Sequence, residues 1–259
     1  MTLRYVVSLP DAVERRKKIA ESFASMNLDF KISDAKRMSE DEMKTLSQQG
    51  KPKIGMGAIG CFYSHIEIWK RIADGEDRGG FIFEDDALFS KRAHKFCLND
   101  NWIPEDVDVC QLSYTKFEKY PNGRVFRVLK TKKLSEEFEL IRVYSPCPWG
   151  TIAYWISKKA ARRALEMVDY RFEYPVDFFL FSKDSAFWKK NLIYSLTPAV
   201  VTELPETHSV RMELDEKTSN QFVDLRASEP VKRSKKIYDK VVFIFCKKKR
   251  HNFEDWVKF

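Results

Sequence analysis

Glycine is scarce in this chain, nine of 259 residues, which excludes glycine-built repeats and linker-like loops. No internal repeat or low-complexity tract occurs. The five cysteines (Cys61, Cys97, Cys110, Cys147, Cys246) are odd in number and contain no CxxC pair. Neither a zinc ribbon nor a disulfide framework is expected from them. Cys61, Cys110 and Cys246 lie in apolar runs, where a free thiol behaves as a small hydrophobe. A reducing compartment follows. No GxxxxGK[ST] loop and no histidine cluster at ligand spacing is present, which argues against a metal-dependent phosphotransferase or hydrolase. No run approaches the roughly 18–20 apolar residues of a membrane-spanning helix. The opening MTLRYVVSLPDAVERR has a short apolar stretch soon followed by charge, which reads as a first strand and not as a signal peptide. The expected location is cytoplasmic, or peripheral on the cytoplasmic face of the inner membrane.

What is present is bulky core material, with 20 Phe, ten Tyr and six Trp in a chain that is 44% apolar and 32% charged. That balance belongs to a folded globular domain. The net charge of +8 is unevenly placed: residues 229–259 contribute +6 and the first 228 only +2. A nearly neutral body without an RNA-binding or helix-turn-helix signature gives no support for a nucleic-acid partner. In the tail, Ile237, Val241, Ile244 and Phe245 share one helical face among lysines. A basic amphipathic segment of this kind is drawn to anionic lipid surfaces; the alternative is a helix or strand docked on the body with its lysines reaching outward. We therefore divide the chain into a main domain, 1–225, and a basic aromatic segment, 226–259.

Tyr5–Ser8 reads as a buried opening strand, followed by a helix over 11–26 capped by Asp11 and Glu14, with Ile19, Ala20, Phe23 and Ala24 as its apolar face. A second strand covers 30–32 and ends at Ser33-Asp34; Ser39-x-x-Glu42 is a further capping box. A glycine-punctuated loop over 55–60 leads into a helix with Ile59, Phe62, Ile66 and Trp69 at helical spacing. Strands are expected at 81–83, 107–112, 151–156 and 192–196, and a hairpin at 114–130 turning on Asn122-Gly123. Ser157 caps a helix to about 168, and another helix covers 177–189. Strands alternating with helices predict an α/β fold with a mostly parallel, mixed sheet.

The informative feature is the apolar run Phe81-Ile-Phe83 that ends in Glu84-Asp85-Asp86. Three adjacent carboxylates repel one another unless something positive sits among them. In open α/β sheets ligands bind beyond the carboxyl ends of the strands, where carboxylates can hold a hard divalent cation that neutralises a diphosphate. The bland alternative is a solvated turn. Arg15-Arg16-Lys17-Lys18 reads as a solvated helix face from which Arg15 approaches the strand end. His65, on an apolar helix, reads as a core or supporting histidine rather than a catalytic one.

FIFEDDALF resembles the acidic signature of family 25 glycosyltransferases, which include bacterial lipooligosaccharide galactosyltransferases and the collagen galactosyltransferase domain. Four other segments agree in order: YVVSLPDAVERR, Ala58-Ile-Gly60-Cys61-Phe-Tyr-Ser64-His65 with Trp69, Trp149-Gly150-Thr151-Ile-Ala153-Tyr154 through Ser157 with Ala160, and Pro175-Val176-Asp177. The resemblance implies a GT-A type single-domain fold, an inverting mechanism, a UDP-sugar donor and a manganese or magnesium ion. It implies further that Glu84 and Asp86 hold the metal and that Ser8, Leu9, Arg15, Asp34 and Asp85 lie near the nucleotide. His208 is a possible late metal ligand by the same resemblance. Asp177 is the first choice for the base that takes the acceptor hydroxyl's proton, and Asp184 the second.

Overall fold

The structure, a computed structural model, describes residues 2–50, 52–113, 127–145 and 150–204. In chain order the elements are β1 (Leu3–Ser8), α1 (Val13–Ser25), β2 (Lys31–Asp34), α2 (Glu40–Gln49), α3 (Met56–Asp74), β3 (Gly79–Glu84), β4 (Ala87–Phe89), α4 (Ala93–Cys97) and β5 (Val109–Gln111). They continue with β6 (Arg127–Lys133), β7 (Glu139–Ser145), β8 (Ala153–Ser157), α5 (Lys158–Met167), α6 (Val176–Phe181), α7 (Ala186–Lys190), β9 (Ile193–Thr197) and β10 (Val201–Glu203). Eight strands form one sheet in the order β2-β1-β3-β8-β5-β9-β7-β6, and β4 pairs with β10 beside it. β1 runs parallel to β2 and β3, and β5 parallel to β9, while β8 lies antiparallel between β3 and β5. β7 lies antiparallel to both β9 and β6, so six of the eight strands point one way and β7 and β8 oppose them: a mixed sheet, mostly parallel in strand direction.

Both faces of the sheet are covered, which is why its central strands read as continuous apolar runs rather than alternating ones. The period of two is still visible in how the side chains divide. Ile82, Val109, Tyr154 and Ile156 join the face packed by α3, α5 and α6. Phe81, Phe83, Cys110, Ala153 and Trp155 join the other, with Ile19 and Phe23 of α1. Phe23 meets Phe83 and Phe89 edge to face, with ring centroids 5.3 and 5.2 Å apart, a geometry that adds to the area buried.

Several boundaries differ from those expected. α1 begins at Val13 with no side-chain cap, because Asp11 instead pairs with Arg37 at 2.8 Å; Ala24 lies exposed rather than on the apolar face. The glycine-punctuated segment is not a loop but the first turns of α3. Gly60 sits there because an added Cβ would come within 2.3 Å of the Lys36 carbonyl oxygen; the glycine marks close approach and not a turn. The expected helix over 177–189 divides into α6 and α7, since the Ser185 hydroxyl accepts the Phe187 amide and starts a new helix there. The strand Arg127–Lys133 pairs with 139–145; the expected partner, 114–120, lies outside the described residues. So do the tail, the boundary at 226, His208, Cys147 and Cys246.

Both remaining caps form as read. Ser39 and Glu42 make a reciprocal capping box on α2, and the Ser157 hydroxyl accepts the Ala160 amide at 3.0 Å at the start of α5. Replacing Ser157 by Ala leaves that amide unpaired and is expected to lower stability by about 1 kcal/mol, measurable as a lower urea midpoint at unchanged slope.

Candidate active site

The parallel strands bring their carboxyl ends to one edge of the sheet. Ser8 stands beside Asp34 in the β1–β2 register and Val7 beside Glu84 in β1–β3. The reversed strand β8 starts at that same edge, because Ala153 faces Phe83. Its approach segment therefore flanks the acids: the Glu84 amide donates to the Ile152 carbonyl at 2.9 Å, and the Thr151 hydroxyl donates to Glu84 Oε1. Gly150, at φ of 101°, occupies the left-handed region that favours glycine. Its carbonyl accepts the Gln111 side-chain amide at 2.9 Å, which ties this approach to the end of β5.

Past the end of β3 the acids part. Glu84 turns toward α3, with His65 Nε2 at 3.8 Å from its Oε1. Asp85 turns toward α1, accepting the Ser8 hydroxyl at 2.6 Å and pairing with Arg15 at 3.1 Å. Asp86 is buried, with Oδ1 lacking any hydrogen-bond partner among the described residues. Burial pushes the Asp85 carboxyl up, and the Ser8 hydrogen bond and Arg15 offset this only in part. Asp86 is pushed up well beyond the ordinary carboxylate range by burial first, then by Glu84, Glu203 and Asp85. Arg15 is too weak a counterweight for four carboxylates. A divalent cation would supply the missing charge, and the buried unpaired oxygen of Asp86 fits a hard-cation ligand.

The two arginines divide their work. Arg15 meets Asp85, as expected. Arg16, read from sequence as part of a solvated face, staples the strand ends instead: it donates to the Leu9 carbonyl at 3.0 Å, to the Ser8 carbonyl at 2.9 Å and to Asp34 at 2.5 Å. Ser8, Leu9, Arg15, Asp34 and Asp85 thus lie together, and Glu84 and Asp86 adjoin them. Asp177 and Asp184 do not join this group through their described contacts. Asp177, half-buried in the first turn of α6, accepts the Phe178 amide at 3.0 Å, and Asp184 pairs with Lys183 at 2.9 Å.

His65 is fully buried and packs on Tyr154 and Trp69, in agreement with a supporting rather than catalytic reading. The Ser64 hydroxyl donates locally to the Gly60 carbonyl at 2.7 Å and also accepts the Lys36 amide at 2.8 Å. Arg16, Thr151 and Glu203 were not singled out by sequence reasoning. Thr151 stood within a quoted motif. Glu203 had no local signal, since only the pairing of β10 with β4 brings it opposite Ala87.

Comparison with known proteins identifies the family. The family description "Glycosyltransferase family 25 (LPS biosynthesis protein)" matches residues 1–180. The lipooligosaccharide biosynthesis protein lic2B of Haemophilus influenzae is 30% identical over 168 residues, 63% of this chain and 62% of that protein. The lacto-N-neotetraose biosynthesis glycosyltransferase LgtE of Neisseria meningitidis is 29% identical over 209 residues, 77% of this chain and 73% of that one. Procollagen galactosyltransferase 2 of Mus musculus is 24% identical over 188 residues, 68% of this chain but only 29% of that protein. All five motif segments, from the opening strand to Asp177, fall within the matched residues. This chain belongs to glycosyltransferase family 25.

Proposed function

We propose that this protein is an inverting glycosyltransferase that moves a hexose, galactose in β linkage, from a UDP-sugar to a lipooligosaccharide or lipopolysaccharide core acceptor. The observation that carries the reading is the carboxylate cluster at the end of β3, with Asp86 buried and lacking a hydrogen-bond partner among the described residues beside an Arg15–Asp85 pair. The names of the bacterial relatives, in lipooligosaccharide and lacto-N-neotetraose biosynthesis, support the acceptor class.

On this reading Glu84 and Asp86 hold Mn²⁺ or Mg²⁺, with His208 of the undescribed segment as a further ligand. The ion supplies charge neutralisation for the departing diphosphate. Ser8, Leu9 and Asp34 border the nucleoside, and the Arg16 staple keeps the ends of β1 and β2 together so that this border is rigid before the donor arrives. Arg15 adds a fixed positive charge on the diphosphate side. Asp177 takes the proton of the acceptor hydroxyl as that oxygen attacks the anomeric carbon. It is preferred to Asp184, whose carboxylate is engaged by Lys183. No helix of the described residues is long and apolar enough to cross a membrane. The basic segment 226–259 would bring the domain to an anionic membrane surface carrying a lipid-linked acceptor.

Isothermal calorimetry with UDP tests the donor site. The expected result is micromolar-range binding, on the order of −8 kcal/mol, that strengthens when Mn²⁺ is added and vanishes in Asp86→Ala. Absence of binding with and without metal would overturn the assignment.

A further inference from the structure

Behind Glu84 lies a buried hydrogen-bond chain that the donor-site reading does not use. The Trp69 indole N–H donates to the Tyr154 hydroxyl oxygen at 2.9 Å, and that oxygen lies 2.8 Å from His65 Nδ1. Trp69, Tyr154 and His65 are all fully buried, so water does not compete for these bonds. Indole nitrogen is a donor only; Tyr154 must accept from it and retains one hydrogen of its own to give. His65 Nδ1, 2.8 Å away, lies within reach of that hydrogen. An Nδ1 that accepts leaves the proton of a neutral imidazole on Nε2. Nε2 faces Glu84 Oε1 at 3.8 Å, about 1 Å beyond an ordinary N–H···O bond.

We infer that Trp69, Tyr154 and His65 form a one-way relay that fixes the His65 proton on Nε2 and aims it at Glu84, making His65 a positioning residue for that carboxylate. The Thr151 hydroxyl donates to the same Oε1. Thr151 thus holds this oxygen, while His65 Nε2, buried and without a hydrogen-bond partner among the described residues, faces it from 3.8 Å. The direction of the relay also decides against a rival use of the same residues. Ligand atoms of Cys61, His65 and Glu84 lie within 4.8 Å of one another, with Cys61 and His65 one helical turn apart on α3. A transition metal there needs a bare Nε2 lone pair, which the Tyr154 hydrogen denies by sending the imidazole proton to that nitrogen.

The inference rests on the reading of Glu84 as part of the donor site, and two measurements separate the two. Nitrogen-15 NMR of the four histidine rings in the full, unliganded chain reads the tautomer directly, with His65 assigned by its loss in His65→Gln. The expected signal is a proton on Nε2 that becomes a mixture of tautomers in Tyr154→Phe. A proton on Nδ1 in the parent chain overturns the relay, and so does stoichiometric binding of Zn²⁺ alone that is lost in Cys61→Ser. In steady-state transfer assays, His65→Leu is expected to lower kcat about tenfold or more with little change in the donor KM. His65→Gln, which keeps an N–H donor at the same reach, is expected to restore most of it. Parent-like kcat in His65→Leu refutes the positioning role. If the tautomer is as stated but UDP does not bind, it is the donor-site reading that fails and not the relay.

Discussion

Asp86→Asn is expected to abolish most transfer and at the same time to raise the melting temperature of the metal-free protein. The two effects have one cause. Asp86 is buried among Glu84, Asp85 and Glu203, and burial followed by their repulsion pushes its carboxyl well above the ordinary range. A raised carboxyl means that the folded state binds a proton more readily than the unfolded chain. Its contribution to stability is therefore complete below the unfolded value, about 3.9, and is lost as pH rises toward the folded value. At neutral pH burying this group therefore costs the native state relative to the unfolded chain, where the carboxylate is solvated, and the amide removes that cost at nearly unchanged shape. For a chain of this size each kcal/mol relieved appears as about 2–4 °C in Tm. Scans with a chelator present should show the gain at pH 7 and its disappearance toward pH 4. On the proposed reading the same substitution also removes one of the two carboxylates, with Glu84, that would hold the cation of the donor diphosphate. Several kcal/mol of charge stabilisation depend on that cation, so a loss of about 100-fold or more in kcat is expected. Parent-like transfer would refute the site, and a lower Tm at pH 7 would refute the electrostatic account.

Gly60→Ala is expected to be the most damaging single-methyl change near the site. The added Cβ would meet the Lys36 carbonyl oxygen at 2.3 Å, and that neighbour is backbone, which cannot swing aside. Either α3 or the chain following β2 must move. Movement there stretches the bond from the Lys36 amide to the Ser64 hydroxyl, now 2.8 Å, and shifts His65 one residue further on. Overpacking of this kind costs about 1–3 kcal/mol and occasionally more. The upper end is expected here, since Gly60 lies inside α3 and the Lys36 segment is held by the Ala35 amide on the Ser8 carbonyl and the Lys36 amide on Ser64, both at 2.8 Å, with Tm lower by about 6–12 °C. Differential scanning calorimetry decides it. A variant that melts within about 2 °C of the parent would show that α3 does not approach the chain following β2 so closely.

These two residues mark the two ways in which the sequence was readable. The acids after Phe81-Ile-Phe83 were legible because an apolar strand ending in carboxylates has no local reason to exist, and the strand indeed ends there at Glu84. Gly60 was visible as a glycine but not as a packing residue. Local composition puts glycine in loops, whereas here it lies inside α3 and its reason is a contact with Lys36, 24 positions away. Arg16 was hidden for a similar reason. Four consecutive basic residues look alike until the helix is set on the sheet and one of them faces the ends of β1 and β2.

From sequence alone came the α/β class, most strand positions, the capping serines 39 and 157, and the motifs that carry family membership. All of these depend on short-range rules: side-chain periodicity, local hydrogen bonding and the order of segments. What only the tertiary structure decided was the company each group keeps. The insertion of β8 against the direction of its neighbours delivers Thr151 to Glu84, and the pairing of β10 with β4 adds Glu203 to the carboxylates around Asp86. Such contacts join positions tens of residues apart. They arise from how apolar faces are buried across the whole sheet, which no local pattern in the chain records.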